Sequence, residues 1–301
     1  MVLTGLHFLL TYQCVGECDH CFVWGSPHSS GVWTIASLRK ALDSAQTLDT
    51  IETIFFEGGE PFLYYPILLA GLREAKNRGY AVGVVSYPYW AQTVEDALEW
   101  LRPVAEIGIM GLSVSGDCFH GDQVIEKYQE NAIRAAKELG IPIGLMATGE
   151  QRPDDPTEID GDEFEYGKVM FRGRAAAQLA PEVTAPRYAW ETLTECPHEP
   201  LNSPGRVHVD PYGHLHICQG ISIGNLLAQP LKEIMNSFFP RKDSILGPLI
   251  EGGPAALIRK HNVSFQKGTY ADACELCYRT RERLRSEFSE ILQPDQMYGK
   301  F

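Results

Sequence analysis

Residues 14–21 read Cys14-Val15-Gly16-Glu17-Cys18-Asp19-His20-Cys21, and this run decides what the rest of the 301-residue chain is built around. Three thiols separated by three residues and then two can ligate three irons of a four-iron cluster, and no fourth cysteine follows nearby. The remaining iron then stays open to a ligand and is a chemical site, whereas a cluster closed by protein on every iron mainly carries electrons. Zinc is the alternative occupant: it takes four ligands, and His20 or His28 would supply the fourth.

Working outward, the motif occupies the first loop of a strand–helix alternation. Leu6–Thr11 reads as a strand entering the cysteine loop, and Thr34 as the cap of a helix with the stripe Ile35, Leu38, Leu42 and Ala45. Further strands are expected over 51–56, 81–85, 109–114 and 141–146, and helices over 66–78, 94–101 and 124–139, with Gly79 and Gly140 closing two of them. A sixth strand is expected at 169–171, followed by a helix from about Arg174. Such a βα repeat implies a parallel α/β sheet with right-handed crossovers. Six units suit a partial (β/α)6 TIM-like barrel, with its chemistry at the C-terminal strand ends. The cysteine loop, Glu57 to Glu60 and Ser86 fall at such ends. Residues 151–167, rich in Asp, Glu and Pro, read as an excursion between strands or a loop over the barrel mouth. The rhythm stops after Pro181, so the expected division is a core of 1–185 and a smaller domain of 186–301.

Composition narrows the classes. A net charge of −13 provides no basic surface, which argues against a nucleic-acid partner, while a small anionic substrate would need only one local Arg. No stretch is long and apolar enough to cross a bilayer, and Met1 to Leu10 lacks a basic leader and a small-residue cleavage site. Eight cysteines clustered at metal-ligand spacings fit a reducing cytoplasm better than a disulfide framework.

Glu57-Gly58-Gly59-Glu60-Pro61 follows the second strand. Its glycines allow close backbone approach to a ligand and its carboxylate suits an ammonium group, although alone it reads as a tight strand-to-helix turn. One helix and one strand after the three cysteines, it makes the chain resemble the radical S-adenosylmethionine (SAM) superfamily over almost its whole length. The resemblance implies a 4Fe-4S cluster on Cys14, Cys18 and Cys21, whose open iron chelates SAM, and a methionine site at Gly58, Gly59 and Glu60. His20 stands where the family usually has a Tyr or Phe whose backbone meets the adenine. Ser86 ends the third strand, where ribose contacts are expected. Leu112 to Asp117 resembles the family's Ser-x-Asp-Gly segment, so Ser113 and Ser115 are candidates for carboxylate or ribose, or are turn-forming hydroxyls. The Arg that often follows is missing, with Lys127 the nearest base. Phe171-Arg172-Gly173-Arg174-Ala175 resembles the Gly-Arg-Ala segment of SPASM-type members, offering Arg174 as a fork for the SAM carboxylate, or as a surface arginine at a helix start.

Cys196, Cys218, Cys274 and Cys277 form a second set, with Cys218 closing an expected hairpin (206–217) and Cys274-Glu275-Leu276-Cys277 opening a charged helix. The arrangement resembles the twitch form of the SPASM extension, implying one auxiliary 4Fe-4S cluster. A zinc site with four thiolates remains the alternative. Cys118 and His120 lie near the fourth strand's end as candidate proton or hydrogen donors, although a lone Cys is usually a small buried hydrophobe.

By this resemblance the chain is an enzyme. It would use a low-potential electron donor such as flavodoxin or ferredoxin, cleave SAM to a 5′-deoxyadenosyl radical, and abstract a substrate hydrogen. The auxiliary cluster would accept an electron in a net oxidation of a small molecule. A maturase acting on a peptide, forming a thioether, a carbon–carbon crosslink or an epimer, is the rival. The strand starting almost at the N-terminus leaves no room for a fused leader-binding domain and favours the small substrate. A non-enzymatic iron–sulfur or zinc scaffold is the third reading, against which Gly58-Gly59-Glu60 stands.

Overall fold

Leu6, Phe8 and Leu10 alternate with His7, Leu9 and Thr11 along β1 (Gly5–Thr11), so the strand has two different faces. The first face joins Ile54 and Phe56 of β2 (Thr53–Gly58), Val82 and Val84 of β3 (Ala81–Ser86), and Leu112 and Val114 of β4 (Gly111–Ser115) in one buried core. That core also takes the apolar stripes of α1 (Ile35–Ala45), α2 (Tyr65–Asn77), α3 (Val94–Ile107) and α4 (Gln123–Glu138). The second face looks into the concave side and carries the polar residues of interest. In this computed structural model the described residues are 2–117, 119–120, 123–148, 164–264 and 268–301.

The first four strands continue into β5 (Ile143–Thr148) and β6 (Phe164–Gly167), six parallel strands side by side in chain order. The α/β partial barrel expected from the sequence is therefore present. Two local expectations need correction. The sixth strand is 164–167, at the end of the acidic run, and 169–171 belong to no strand. Helix α3 passes through Pro103 to Ile107, because Ala97, Leu101 and Val104 share one buried stripe that extends beyond the proline. The rest of the acidic excursion lies outside the described residues.

After α5 (Arg174–Gln178) and the short β7 (Tyr188–Ala189), the chain forms β8 (Arg206–Val209), β9 (His214–Cys218) and β10 (Ile221–Asn225). Strand β8 pairs parallel with β1, and the antiparallel β9 and β10 extend the sheet to nine strands in the order β10-β9-β8-β1-β2-β3-β4-β5-β6. The hairpin is thus hydrogen-bonded to the strand that enters the cysteine loop. Then come α6 (Leu231–Asn236), α7 (Leu246–His261), β11 (Thr269–Tyr270), which pairs with β7, and α8 (Ala273–Leu284). A second core packs Ile245, Leu249, Leu257 and Tyr278 from this region against Leu9, Tyr12 and Val23. Among the described residues no helix is long and apolar enough to cross a membrane.

Candidate functional site

Beyond β1 the backbone stays paired and forms a rigid cradle. Tyr12 N donates to Gly31 O and Cys14 N to Ser26 O (3.2 and 3.0 Å). Gly59 N donates to Thr11 O at 2.7 Å and Glu60 N to Gln13 O at 2.8 Å, so the turn after β2 lies directly on the chain that delivers Cys14. Cys21 N donates to Cys18 O at 3.0 Å, and Gly25 N points at Cys21 Sγ at 3.2 Å. Cys14 and Cys18 are partly buried, and burial pushes both thiols up to about 12. A free thiolate here is costly, and binding a metal ion would have to displace the proton.

Glu60 is fully buried. Oε1 accepts from Phe62 N (2.9 Å) and Ser86 Oγ (2.8 Å), and Oε2 from Tyr87 N (2.7 Å). Burial nevertheless raises its carboxyl to about 8, with the three donors opposing. The carboxylate thus ties the end of β2 to the end of β3 and is turned inward. Ser86, 2% exposed, also accepts from Trp90 Nε1 at 3.0 Å, so its hydroxyl links Glu60 to Trp90. Arg174 likewise bonds protein groups. Nη1 donates to Cys18 O (2.9 Å) and Nη2 to Gly25 O (2.7 Å), and the guanidinium lies 5.4 Å from the Trp24 ring. The fork expected on a SAM carboxylate holds the middle of the cysteine loop at Cys18 and the chain just after it at Gly25.

At the C-terminal end of β4, Ser113 and Ser115 are half-buried on the concave face and stand opposite Gly144 and Met146 of β5. Asp117 accepts from His120 Nδ1 at 2.8 Å and from Thr148 N at 2.8 Å. His120 stacks on Tyr87 (5.5 Å) and packs edge-on against His20 (4.7 Å), so the cysteine loop and the β4 end meet in an aromatic wall. Burial drops His20 to about 4, leaving it neutral at physiological pH. Cys118 lies outside the described residues.

Cys196, Cys218, Cys274 and Cys277 line one cavity together with Arg172, His198 and Arg281. Arg172 Nη1 donates to Glu199 Oε1 (2.8 Å) and points at Cys218 Sγ (3.7 Å), while the fully buried Arg281 donates to Tyr298 Oη (3.2 Å). Burial opposes the charge of Arg172, yet Cys218 and Glu199 hold the guanidinium firmly protonated. Two buried cations beside four thiols suit a group that takes on negative charge. Sequence reasoning gave neither arginine a role. A long basic side chain in a cysteine-bearing core segment is a weak signal, since most such residues lie on the surface.

Sequence reasoning placed Glu57 at a strand end but missed that it meets His7 and His208 inside the barrel. His208 Nε2 lies 2.9 Å from Glu57 Oε1 and His7 Nδ1 lies 3.5 Å from Oε2. The signal was the presence of histidine and glutamate at concave-facing positions of otherwise apolar strands.

No family model matches the chain. Over 158 residues, 52% of this chain and 50% of the relative, it is 23% identical to "Putative peptide biosynthesis protein YydG" of Bacillus subtilis (strain 168). Over 105 residues, 35% of this chain and 28% of the relative, it is 30% identical to the "Tungsten-containing aldehyde ferredoxin oxidoreductase cofactor-modifying protein" of Pyrococcus furiosus (strain ATCC 43587 / DSM 3638 / JCM 8422 / Vc1). The matches therefore span half or less of these curated relatives. The structure of anSMEcpe with bound AdoMet superposes with a TM-score of 0.51 at 11% identity, covering 96% of this chain and 98% of that one, and so shares the fold.

Proposed function

We propose that the chain is a radical SAM enzyme that abstracts a hydrogen atom from a small polar substrate inside the barrel. The observation that carries the reading is the contact between the two motifs. The Gly58-Gly59-Glu60 turn is hydrogen-bonded to the strand extension that delivers Cys14, so a candidate cluster ligand and a glycine-rich turn lie side by side. The residues fit the expected groups: three partly buried thiols in one loop, and four more around one cavity. When bound, SAM on a reduced 4Fe-4S cluster supplies a 5′-deoxyadenosyl radical.

Within that reading Cys14, Cys18 and Cys21 hold the cluster. Arg174 fixes the loop that carries them, and Glu60 with Ser86 fixes the turn facing it. The backbone of Gly58 and Gly59, that of His20, and the Ser113 and Ser115 hydroxyls hold SAM. His120, kept in place by Asp117, is the candidate proton donor, with Cys118 beside it in sequence. Cys196, Cys218, Cys274 and Cys277 hold an auxiliary 4Fe-4S cluster in a twitch-type domain covering 186–301, next to a core of 1–185. Arg172 and Arg281 make that centre a better electron acceptor, which suits a net oxidation. A low-potential donor such as flavodoxin or ferredoxin supplies the first electron in a cytoplasmic setting. Sequestering the site from water protects a reactive radical, and the aromatic wall of His20, His120 and Tyr87 serves that end.

A second reading, maturation of a peptide, is favoured by the likeness to the peptide biosynthesis protein YydG. The test is 5′-deoxyadenosine formation, read by mass spectrometry, with reconstituted, reduced enzyme and SAM. Extract from the source is offered as separate small-molecule and peptide fractions. A rise with the small fraction supports the oxidation of a metabolite, and a rise only with the peptide fraction transfers the assignment to a maturase. Zero product in both, with iron confirmed, refutes the SAM chemistry.

A further inference from the structure

We propose that His7, Glu57 and His208 form a binding site for one divalent first-row transition-metal ion on the inner wall of the barrel, separate from both cysteine sets. The three side chains come from adjacent strands, β1, β2 and β8. His7 is directly opposite His208 in the β1–β8 pair, and Glu57 lies opposite Leu9, two residues further along β1. Period-two alternation puts all three on the concave face, because Phe8, Phe56, Val207 and Val209 point the other way into the helical core. The donors therefore converge from strand interiors, where backbone pairing holds each in position.

Their separations fit an ion. One nitrogen or oxygen from each of the three residues lies within 4.8 Å of the others. Ligands about 2.0–2.1 Å from a tetrahedral ion stand roughly 3.3 Å apart, and the two nitrogen–oxygen distances here are 3.5 and 2.9 Å. A purely structural His–Glu–His relay is the alternative, and it requires N–H groups aimed at the carboxylate. Glu57 Oε1 is buried without a hydrogen-bond partner, although His208 Nε2 is only 2.9 Å away. A nitrogen–oxygen contact this short without a hydrogen bond suits two donors that share an ion. Two imidazoles and a carboxylate suit Mn, Fe, Co or Zn, and three protein ligands leave positions open to an outside group.

The open side would face the chemistry. Glu57 directly precedes Gly58, and His208 packs 5.6 Å from the ring of Phe22, the residue after Cys21. A substrate hydroxyl, amine or carboxylate on the ion would be anchored next to the pocket where the proposed radical forms. The substrate class is therefore one with a metal-binding oxygen or nitrogen. Occupancy of the site does not depend on SAM cleavage, so the two proposals fail separately.

The test uses anaerobically reconstituted protein, freed of loosely held iron with EDTA and titrated with Mn(II) alone, following loss of the free-ion EPR signal. The expected result is one bound ion per chain, with affinity weakened on the order of 100-fold in Glu57→Gln and His208→Ala. His7→Gln is a third variant should either of these fail to fold, and cluster absorbance with circular dichroism reports folding. Cys14→Ala should keep the ion. Failure of the parent protein to bind Mn(II), or equal binding by all folded triad variants, overturns the proposal. So does loss of the ion in Cys14→Ala, which would place it in the cysteine loop.

Discussion

Gly59→Ala tests whether the two motifs are one structure. A Cβ at Gly59 would lie 2.1 Å from Gln13 O, 2.5 Å from Gln13 C and 2.7 Å from Tyr12 O. Side chains essentially never approach closer than 3.0 Å, so the turn and the strand extension must part by about 0.9 Å, and both obstacles are backbone. That separation acts on Gly59 N to Thr11 O and Glu60 N to Gln13 O, each worth about 1 kcal/mol. Overpacking adds roughly 1–3 kcal/mol, so the substitution should cost about 3–5 kcal/mol and lower Tm by roughly 5–8 °C. Cys14 follows Gln13 directly, so the first cluster should be lost while the second cysteine set still loads. Iron per chain should fall by half. Gly111→Ala is the control: the nearest atom to its Cβ is Pro142 O at 3.9 Å, and it should change stability by no more than about 0.5 kcal/mol. Calorimetry and iron analysis on the three proteins decide the matter. A Gly59→Ala protein that melts and loads iron like Gly111→Ala would refute the argument.

Arg174→Lys replaces a fork by a point charge that cannot span Cys18 O and Gly25 O, so stability should fall by about 1–3 kcal/mol. Chelator should strip the first centre several-fold faster than in the parent, and equal stripping rates would contradict the clamp. Glu60, raised to about 8 by burial, binds its proton more tightly folded than unfolded. Its contribution is complete below the unfolded pKa of about 4.5 and fades as pH rises through about 8. Tm of the parent should therefore fall more steeply between these limits than Tm of Glu60→Gln, and parallel profiles would contradict the burial argument. Arg172→Gln removes a cation 3.7 Å from Cys218 Sγ and should lower the midpoint potential of the second centre by roughly 50–100 mV, the one-electron equivalent of about 1–2 kcal/mol. Redox titration followed by EPR checks this, and an unchanged potential would remove the arginine from that role.

The βα order was legible because each strand and helix carries its own periodicity, and the cysteine spacing marked the loop that matters. Residues 164–167 escaped because they end an acidic, apolar-poor run, where pairing with β5 and not side-chain pattern makes the strand. Partner choice was the least legible level. Arg174, Ser86 and Glu60 were singled out through the family resemblance, but the protein groups they bond, Cys18 for Arg174 and Tyr87 for Glu60, are set by long-range packing. The triad of His7, Glu57 and His208 joins residues distant in sequence, and it becomes visible only once β8 is known to pair with β1.

The central claim, that Cys14, Cys18 and Cys21 hold a cluster with an iron open to SAM, is tested most directly by EPR of the reduced, reconstituted chain with and without SAM. The expected result is a signal that Cys14→Ala abolishes and that shifts when SAM is added. A signal indifferent to SAM, or zinc in place of iron at these cysteines, would contradict the account.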